Sequence, residues 1–280
     1  MTTPRTLVVT GTSSGIGLST AVLAAQSGWQ VVAALRDPSR ANALRDRAEK
    51  EGVALDVRAL DVTRTDDVDA LVADVVETYG GLDAVVNNAG AGLVGTVETL
   101  TLDDFRRCME VNFFAVVAVS KAALPHLRAS RGRLVTVSSV GGIVGQPFNE
   151  AYCAAKFAVE GFLESLHPVA AAAGVGVVVV EPGAVATSFA GTAVSDRDAL
   201  LAGAGPYADS LRAYLARTAG AFANAQEADG VGAVILDALE SSAPAFRVQT
   251  SPTASAFVGM KLADLDGSTV TTATRSWIDA

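Results

Sequence analysis

Cysteine and histidine are nearly missing from this chain, with two of each in 280 residues. Cys108 and Cys153 lie far apart in sequence and build no disulfide framework. His126 and His167 are too isolated to suggest zinc, so no metal site is expected. Charged residues are scarce too, 18% of the chain, and they sum to -9. A surface of that sign argues against nucleic acid or an anionic bilayer as partner. Long hydrophobic runs are also lacking. The most apolar stretch, 169–180, is interrupted by Gly174 and Gly176 and falls short of the roughly 20 residues a membrane span needs. Residues 1–10 hold no signal-peptide core. Repeats, low-complexity tracts and linkers are not seen. A soluble protein in a reducing, cytoplasmic setting is the expectation.

What the chain does have is apolar material, 50% of its residues, enough for a sizeable core. It is arranged as alternating strand and helix signals. Residues 7–9 read as a short buried strand. The glycine-rich run Thr10-Gly11-Thr12-Ser13-Ser14-Gly15-Ile16-Gly17 follows, then a helical pattern over 18–27. Strand, glycine turn and helix in that order make a phosphate cradle: glycines admit the anion closely and the helix start offers free N–H groups. Further strands are expected at 30–35, 53–60, 83–86, 133–138, 175–180 and 245–249, with helices between. The pattern predicts an α/β fold, a doubly wound parallel sheet with helices on both faces and one continuous core. Pro125 and Pro168 are expected to kink or end their helices. Residues 188–225 break the alternation, as either a lid over an apolar ligand or a peripheral helical pair. The tail 250–280 is only weakly periodic; Phe257, Met260, Leu262, Trp277 and Ile278 are expected to pack on the body.

Several positions carry chemistry. Tyr152 and Lys156 are four apart, so on a helix they share a face. A cation beside a phenol lowers its pKa and makes it a usable acid or base. The alternative is two helical residues facing water. Asn112 falls in the apolar middle of the helical pattern 102–128, where an amide needs a partner. Strand 30–35 ends at Leu35, where an NAD-binding strand would carry an acid. Arg36 follows it. It is read either as a ligand for a 2′-phosphate, favouring NADP(H) over NAD(H), or as a solvated loop residue beside Asp37.

Taken together, these motifs resemble the short-chain dehydrogenase/reductase family. The resemblance rests on Thr10-Gly11-x-x-x-Gly15-Ile16-Gly17, Asp61-Val62, Asn87-Asn88-Ala89-Gly90, Ser139 ahead of Tyr152, and Tyr152-x-x-x-Lys156. It implies a Rossmann-type nucleotide-binding fold, a single domain over 1–280, and an oxidoreductase moving a hydride between nicotinamide and a ketone or secondary alcohol. By that resemblance Tyr152 exchanges the proton, Ser139 binds the substrate oxygen, and Lys156 holds the ribose and tunes Tyr152. Asn112 binds a water of the proton relay. Gly11, Ser13, Ser14, Gly15, Ile16 and Gly17 cradle the pyrophosphate. Asp61 and Val62 flank the adenine, and Asn88, Ala89 and Gly90 line the ribose. Pro182, Gly183, Val185 and Thr187 hold the nicotinamide end. Shorter similarities at 34–37, 181–184 and 246–252 resemble the 17β-hydroxysteroid and retinol dehydrogenase branch and imply an apolar substrate. By the resemblance, the helices at 102–128 and 149–173 are read either as pairing across a dyad into a homodimer or homotetramer, or as simply covering the sheet. The rival readings are a non-catalytic NADP(H) sensor, and an epimerase or dehydratase of the same superfamily.

Overall fold

The computed structural model describes residues 4–194 and 196–278. Its centre is a seven-stranded parallel sheet. In chain order the strands are β1 (Thr6–Thr10), β2 (Gln30–Leu35), β3 (Asp56–Ala59), β4 (Ala84–Asn87), β5 (Arg133–Val137) and β6 (Gly176–Glu181); a short pair, β7 (Val185–Ala186) and β8 (Gln226–Glu227), precedes β9 (Arg247–Gln249). The spatial order is β3-β2-β1-β4-β5-β6-β9, with β7 and β8 paired apart. The order reverses between β1 and β4, so the loops leaving their carboxyl ends part there. That crevice is where open parallel sheets bind ligands.

Period-two alternation sorts the strand residues onto two faces. Leu7, Val9, Val31, Ala33, Val135 and Val178 meet α1 (Gly15–Gln26) and α10 (Ala228–Glu240) in one layer. Val8, Val32, Val85, Leu134, Val177 and Val179 meet α3 (Thr65–Tyr79), α5 (Ala115–Ser130) and α6 (Glu150–Ala172) in the other. Strands buried on both faces explain the near-continuous β-branched runs. The remaining covering helices are α2 (Asn42–Lys50) and α4 (Leu102–Met109).

Several local expectations are corrected. Strand β3 is shorter than the apolar pattern suggests, because Val53 and Leu55 pack on the first layer ahead of the paired segment. Helix α5 runs through Pro125 and α6 through Pro168 without ending. Both prolines lie on exposed faces, where the carbonyl left without a partner can be hydrated. The 102–128 pattern is two helices joined by a π-helical turn, Glu110–Phe114. The stretch Leu102–Ser130 is long and apolar enough to cross a bilayer by length and composition alone. Here Val116, Val119, Ala123 and Leu127 lie on the sheet as core.

Residues 188–225 form α7 (Phe189–Ala193), α8 (Arg197–Gly203) and α9 (Ala208–Ala223). Their cluster takes in Val94 and Phe148 from loops beside the sheet as well as Leu211, Tyr214 and Leu215. The tail forms α11 (Pro252–Leu262) and α12 (Ser268–Arg275). Phe257 and Met260 pack against Val140, Ile143 and Val144, and Trp277 and Ile278 join the α8–α9 cluster. Leu262 is the exception: it is exposed.

Candidate active site

The glycine turn lies at the carboxyl end of β1. Gly11 adopts φ 71°, and a Cβ there would sit 2.8 Å from Ala89 Cα. At Gly17 a Cβ would fall 2.3 Å from Asn88 Nδ2 and 2.4 Å from the Gly11 carbonyl oxygen. The turn is stitched to the end of β4. Asn88 Nδ2 donates to the Thr10 and Gly11 carbonyls at 2.9 and 3.1 Å, and Thr10 Oγ1 accepts from the Asn88 and Ala89 amides at 3.0 Å each. Thr10, quoted in the motif but given no site role there, is therefore a site residue as well. Helix α1 opens at Ser14 with no side-chain cap and no acid in its first turn. Its first amides and positive dipole end suit a diphosphate.

The other expected cofactor residues divide. Ser13 lies half-buried within the turn. Asp61 Oδ1 accepts from the Thr63 amide and hydroxyl at 3.0 and 2.7 Å, which fixes the end of the β3 loop. Those bonds hold its carboxyl below the usual range, helped by the charge of Arg36. Helix α3 has Arg64, which has no acceptor side chain, at its N-cap and starts without a side-chain cap. Ile16 and Val185 turn into the first core layer and Val62 packs on the second. The Pro182 carbonyl accepts from the Val140 amide at 3.0 Å, and Gly183 approaches Ala254. Thr187 lies over Gly15, whose Cβ would meet the threonine methyl at 2.8 Å, and Ser188 Oγ lies 3.2 Å from Ser14 Oγ.

The reacting end gathers at the carboxyl ends of β4, β5 and β6. Ser139 Oγ accepts from the Gly141 amide at 3.0 Å, and its hydroxyl hydrogen-bonds the Tyr152 phenol. Lys156 is 5% exposed; its Nζ donates to the Val137 carbonyl at 3.0 Å and lies 5.9 Å from the centre of the Tyr152 ring. Tyr152 and Lys156 thus share a face and a neighbourhood, with Lys156 buried and Tyr152 half-buried. A Cβ on Gly90 would lie 2.9 Å from Asn112 Oδ1 and 3.8 Å from Lys156 Nζ. Asn112 is fully buried in the π turn, a helix defect common at functional sites. Its amide donates to the Ala91 and Cys108 carbonyls at 2.9 and 3.0 Å, and Oδ1 accepts from the Ala91 amide at 3.2 Å. The side chain thereby braces the 90–91 loop beside Lys156. Asn149 sits at the start of α6 without capping it; its amide goes instead to the Pro147 carbonyl and the Tyr214 hydroxyl. The Phe189 ring stands 5.7 Å from that of Tyr152.

One electrostatic expectation is reversed. Burial pushes the Tyr152 phenol up, and the Ser139 hydrogen bond opposes this without reversing it. The ammonium gives one of its three donors to a carbonyl, and desolvation of a phenolate outweighs a cation held at that distance. Burial also lowers Lys156 itself from 10.5 to about 8, against the pull of Cys108 and Glu160.

With this geometry in place, the comparisons with known proteins decide the family. The model for short chain dehydrogenases matches residues 5–198. The chain belongs to that family. Retinol dehydrogenase 8 of Bos taurus is 38% identical over 276 residues, 95% of this chain and 87% of that one. Human 17-beta-hydroxysteroid dehydrogenase type 1 is 35% identical over 279 residues, 96% and 84% of the two chains. Among solved structures, a short-chain dehydrogenase from Streptomyces avermitilis superposes with a TM-score of 0.77 at 27% identity, covering 98% of this chain and 97% of that one. The protein is an oxidoreductase of the kind that acts on CH–OH groups with NAD(P).

Proposed function

We propose that this short-chain dehydrogenase reduces an apolar ketone with NADPH, and runs the reverse oxidation, with Tyr152 as the proton carrier. The observation that carries the reading is the meeting of Ser139, Tyr152 and Lys156 beside the glycine cradle. When bound, the cofactor supplies the hydride. Negative charge then builds on the carbonyl oxygen. The Ser139 hydroxyl donates to that oxygen, and the Tyr152 hydroxyl gives up its proton to it. The Lys156 ammonium stabilises the phenolate left behind. A phenol raised by burial stays protonated at neutral pH, which suits the reducing direction.

Support for NADP(H) comes from the end of β2. Leu35 is buried, and Arg36 is exposed with no hydrogen bond or ion pair among the described residues. Asp37, the nearest acid, is occupied: Oδ1 accepts from the Ser39 amide and hydroxyl at 3.0 and 2.7 Å. With that oxygen it caps the short turn Pro38–Arg40, which leaves only Oδ2 for a ribose hydroxyl. Arg36→Leu removes one charge-assisted bond, each worth about 1.5–3 kcal/mol. The expected result is a rise in the NADPH KM of about 10- to 100-fold with the NADH KM unchanged. A wild-type protein that prefers NADH in steady-state kcat/KM contradicts the assignment. Support for an apolar substrate comes from the Phe189 ring on Tyr152, from the α8–α9 cluster, and from the names of the retinol and hydroxysteroid relatives.

The pH dependence follows from Lys156, since kcat/KM reports groups of the free enzyme. The useful form of Lys156 is the ammonium, and burial places its loss at about 8. The kcat/KM for reduction is therefore expected to be level through neutral pH and to fall as pH rises through about 8. A profile that rises across that range contradicts the role given to Lys156.

A further inference from the structure

Behind the reacting groups lies a buried charge cluster that the chemistry above does not use. Arg247, on the edge strand β9, reaches across the end of the sheet. Its Nε lies 3.0 Å from Glu160 Oε2 and 3.4 Å from Glu181 Oε1, and a terminal nitrogen lies 2.7 Å from Glu164 Oε2. Gln249, two residues on, donates to Glu181 Oε2 at 2.9 Å. Glu160 and Glu181 are 4% and 0% exposed. Two carboxylates are thus held inside around one guanidinium, while Glu164 sits at the surface. Burial, with the neighbouring Glu160 charge, raises the Glu181 carboxyl to about 7. Ser138 Oγ, Glu160 Oε1 and Glu181 Oε1 have no hydrogen-bond partner among the described residues.

Each carboxylate is attached to a different part of the site. Glu160 lies one helical turn after Lys156 on the same face of α6. Glu181 is the last residue of β6 and is followed at once by Pro182, whose carbonyl holds the Val140 amide next to Ser139. The fit between these parts is close. A Cβ on Gly142, in the turn after Ser139, would lie 2.6 Å from Ser138 Oγ, 3.0 Å from Glu160 Cγ and 3.2 Å from the Lys156 carbonyl. A shift of Glu160 therefore moves the turn that bears Ser139. Buried ion pairs seldom add net stability over apolar packing, so the arrangement is better explained by position than by strength.

We infer that Arg247 is a positioning residue: through Glu160 and Glu181 it sets the spacing between the helix bearing Tyr152 and Lys156, the turn bearing Ser139 and the 182–187 loop. This rests on the oxidoreductase reading above. It also gives the 246–252 segment a part in the reaction.

The test compares wild type, Arg247→Lys, Arg247→Met, and the triple variant Arg247→Met/Glu160→Gln/Glu181→Gln, which removes the buried charges with their partner. Tm, the NADPH Kd from nicotinamide fluorescence, and kcat and KM for an apolar ketone are measured on each. Arg247→Met leaves two buried carboxylates uncompensated and is expected to lose Tm. The triple variant is expected to regain Tm while its kcat stays down on the order of 10²-fold, the scale of a misplacement of about 1 Å. Arg247→Lys keeps the charge without the fork and is expected to fall between. A triple variant with wild-type Tm and wild-type kcat overturns the inference, because Arg247 would then only neutralise charge. Should the triple variant not fold, Arg247→Lys decides alone: wild-type kcat overturns and lowered kcat at unchanged Tm supports. Should wild type bind NADPH yet reduce no carbonyl, the oxidoreductase reading fails and NADPH affinity judges the strut. Binding weakened about tenfold in the triple variant, roughly 1.4 kcal/mol, supports it, and unchanged binding overturns it.

Discussion

Replacing Tyr152 by phenylalanine is expected to cut kcat for ketone reduction by about 10³- to 10⁴-fold, the upper range for a positioned acid. The NADPH Kd should stay within about a factor of two, since the cradle at Gly11–Gly17 is built from other residues, and such a change is worth under about 0.5 kcal/mol. The reasoning is local. The substitution keeps the ring, so the packing against Phe189 and against the cluster of Cys108, Ala151 and Ala155 is retained. Lys156 also stays anchored, because its partner is the Val137 carbonyl and not the phenol. What is lost is the one proton placed to meet the developing alkoxide. Ser139 can still donate a hydrogen bond to that oxygen, but an alkyl hydroxyl is too weak an acid to give up its proton. Stopped-flow or steady-state loss of NADPH absorbance, with Tm as a control for folding, checks this. Turnover near the wild-type rate rejects Tyr152 as the proton carrier.

The second large effect is expected at Gly17. An added Cβ would press on Asn88 Nδ2 and on the Gly11 carbonyl oxygen, at distances no real Cβ shows. Those atoms form the hydrogen bond that pins the glycine turn to β4. Gly17→Ala must therefore push the Asn88 amide off the turn or move the turn itself. Overpacking of this kind costs about 1–3 kcal/mol, and each hydrogen bond lost about 1 kcal/mol more. NADPH affinity is expected to drop by at least about 10²-fold, near 2.7 kcal/mol, with a lowered Tm. Gly81→Ala is the control: nothing lies within 4 Å of its Cβ position, and binding should be unchanged. Fluorescence titration with NADPH measures both. Equal affinities in the two variants would mean the cradle is elsewhere.

The parts of this molecule legible in its sequence are those where structure is local or sterically forced. The turn after β1 could be read because part of the need for glycine is local: the positive φ at Gly11 and the approach of the Gly11 carbonyl to Gly17. The pairing of Tyr152 with Lys156 followed from helical spacing alone. The sheet could be read from β-branched runs such as Val177–Val180. Other features depend on partners distant in sequence. Pro125 and Pro168 do not end their helices, because their exposed faces can be hydrated, and exposure is decided by the whole fold. The π turn at Asn112 leaves no mark in an apolar periodicity. The turning of Lys156 toward Val137, and with it the raised phenol of Tyr152, depends on a competition between burial and charge whose sign needs coordinates. The cluster joining Arg247 to Glu160, separated by 87 positions, is invisible until β9 is placed beside β6. The apolar residues of α11 and α12, Ala254, Val258 and Val270, cluster with Val140, Ile143 and Val144, so their packing too depends on a segment distant in sequence.

The central claim is that Tyr152, Ser139 and Lys156 surround one substrate oxygen beside a nicotinamide. A crystal structure of the protein with NADP⁺ and an unreactive apolar ketone tests it most directly. The account predicts the ketone oxygen within hydrogen-bond reach, about 2.6–3.2 Å, of both the Tyr152 and the Ser139 hydroxyls, with the ring face against the carbonyl carbon. A dinucleotide lodged away from the Gly11–Gly17 turn, or a ketone oxygen held by neither hydroxyl, would contradict it.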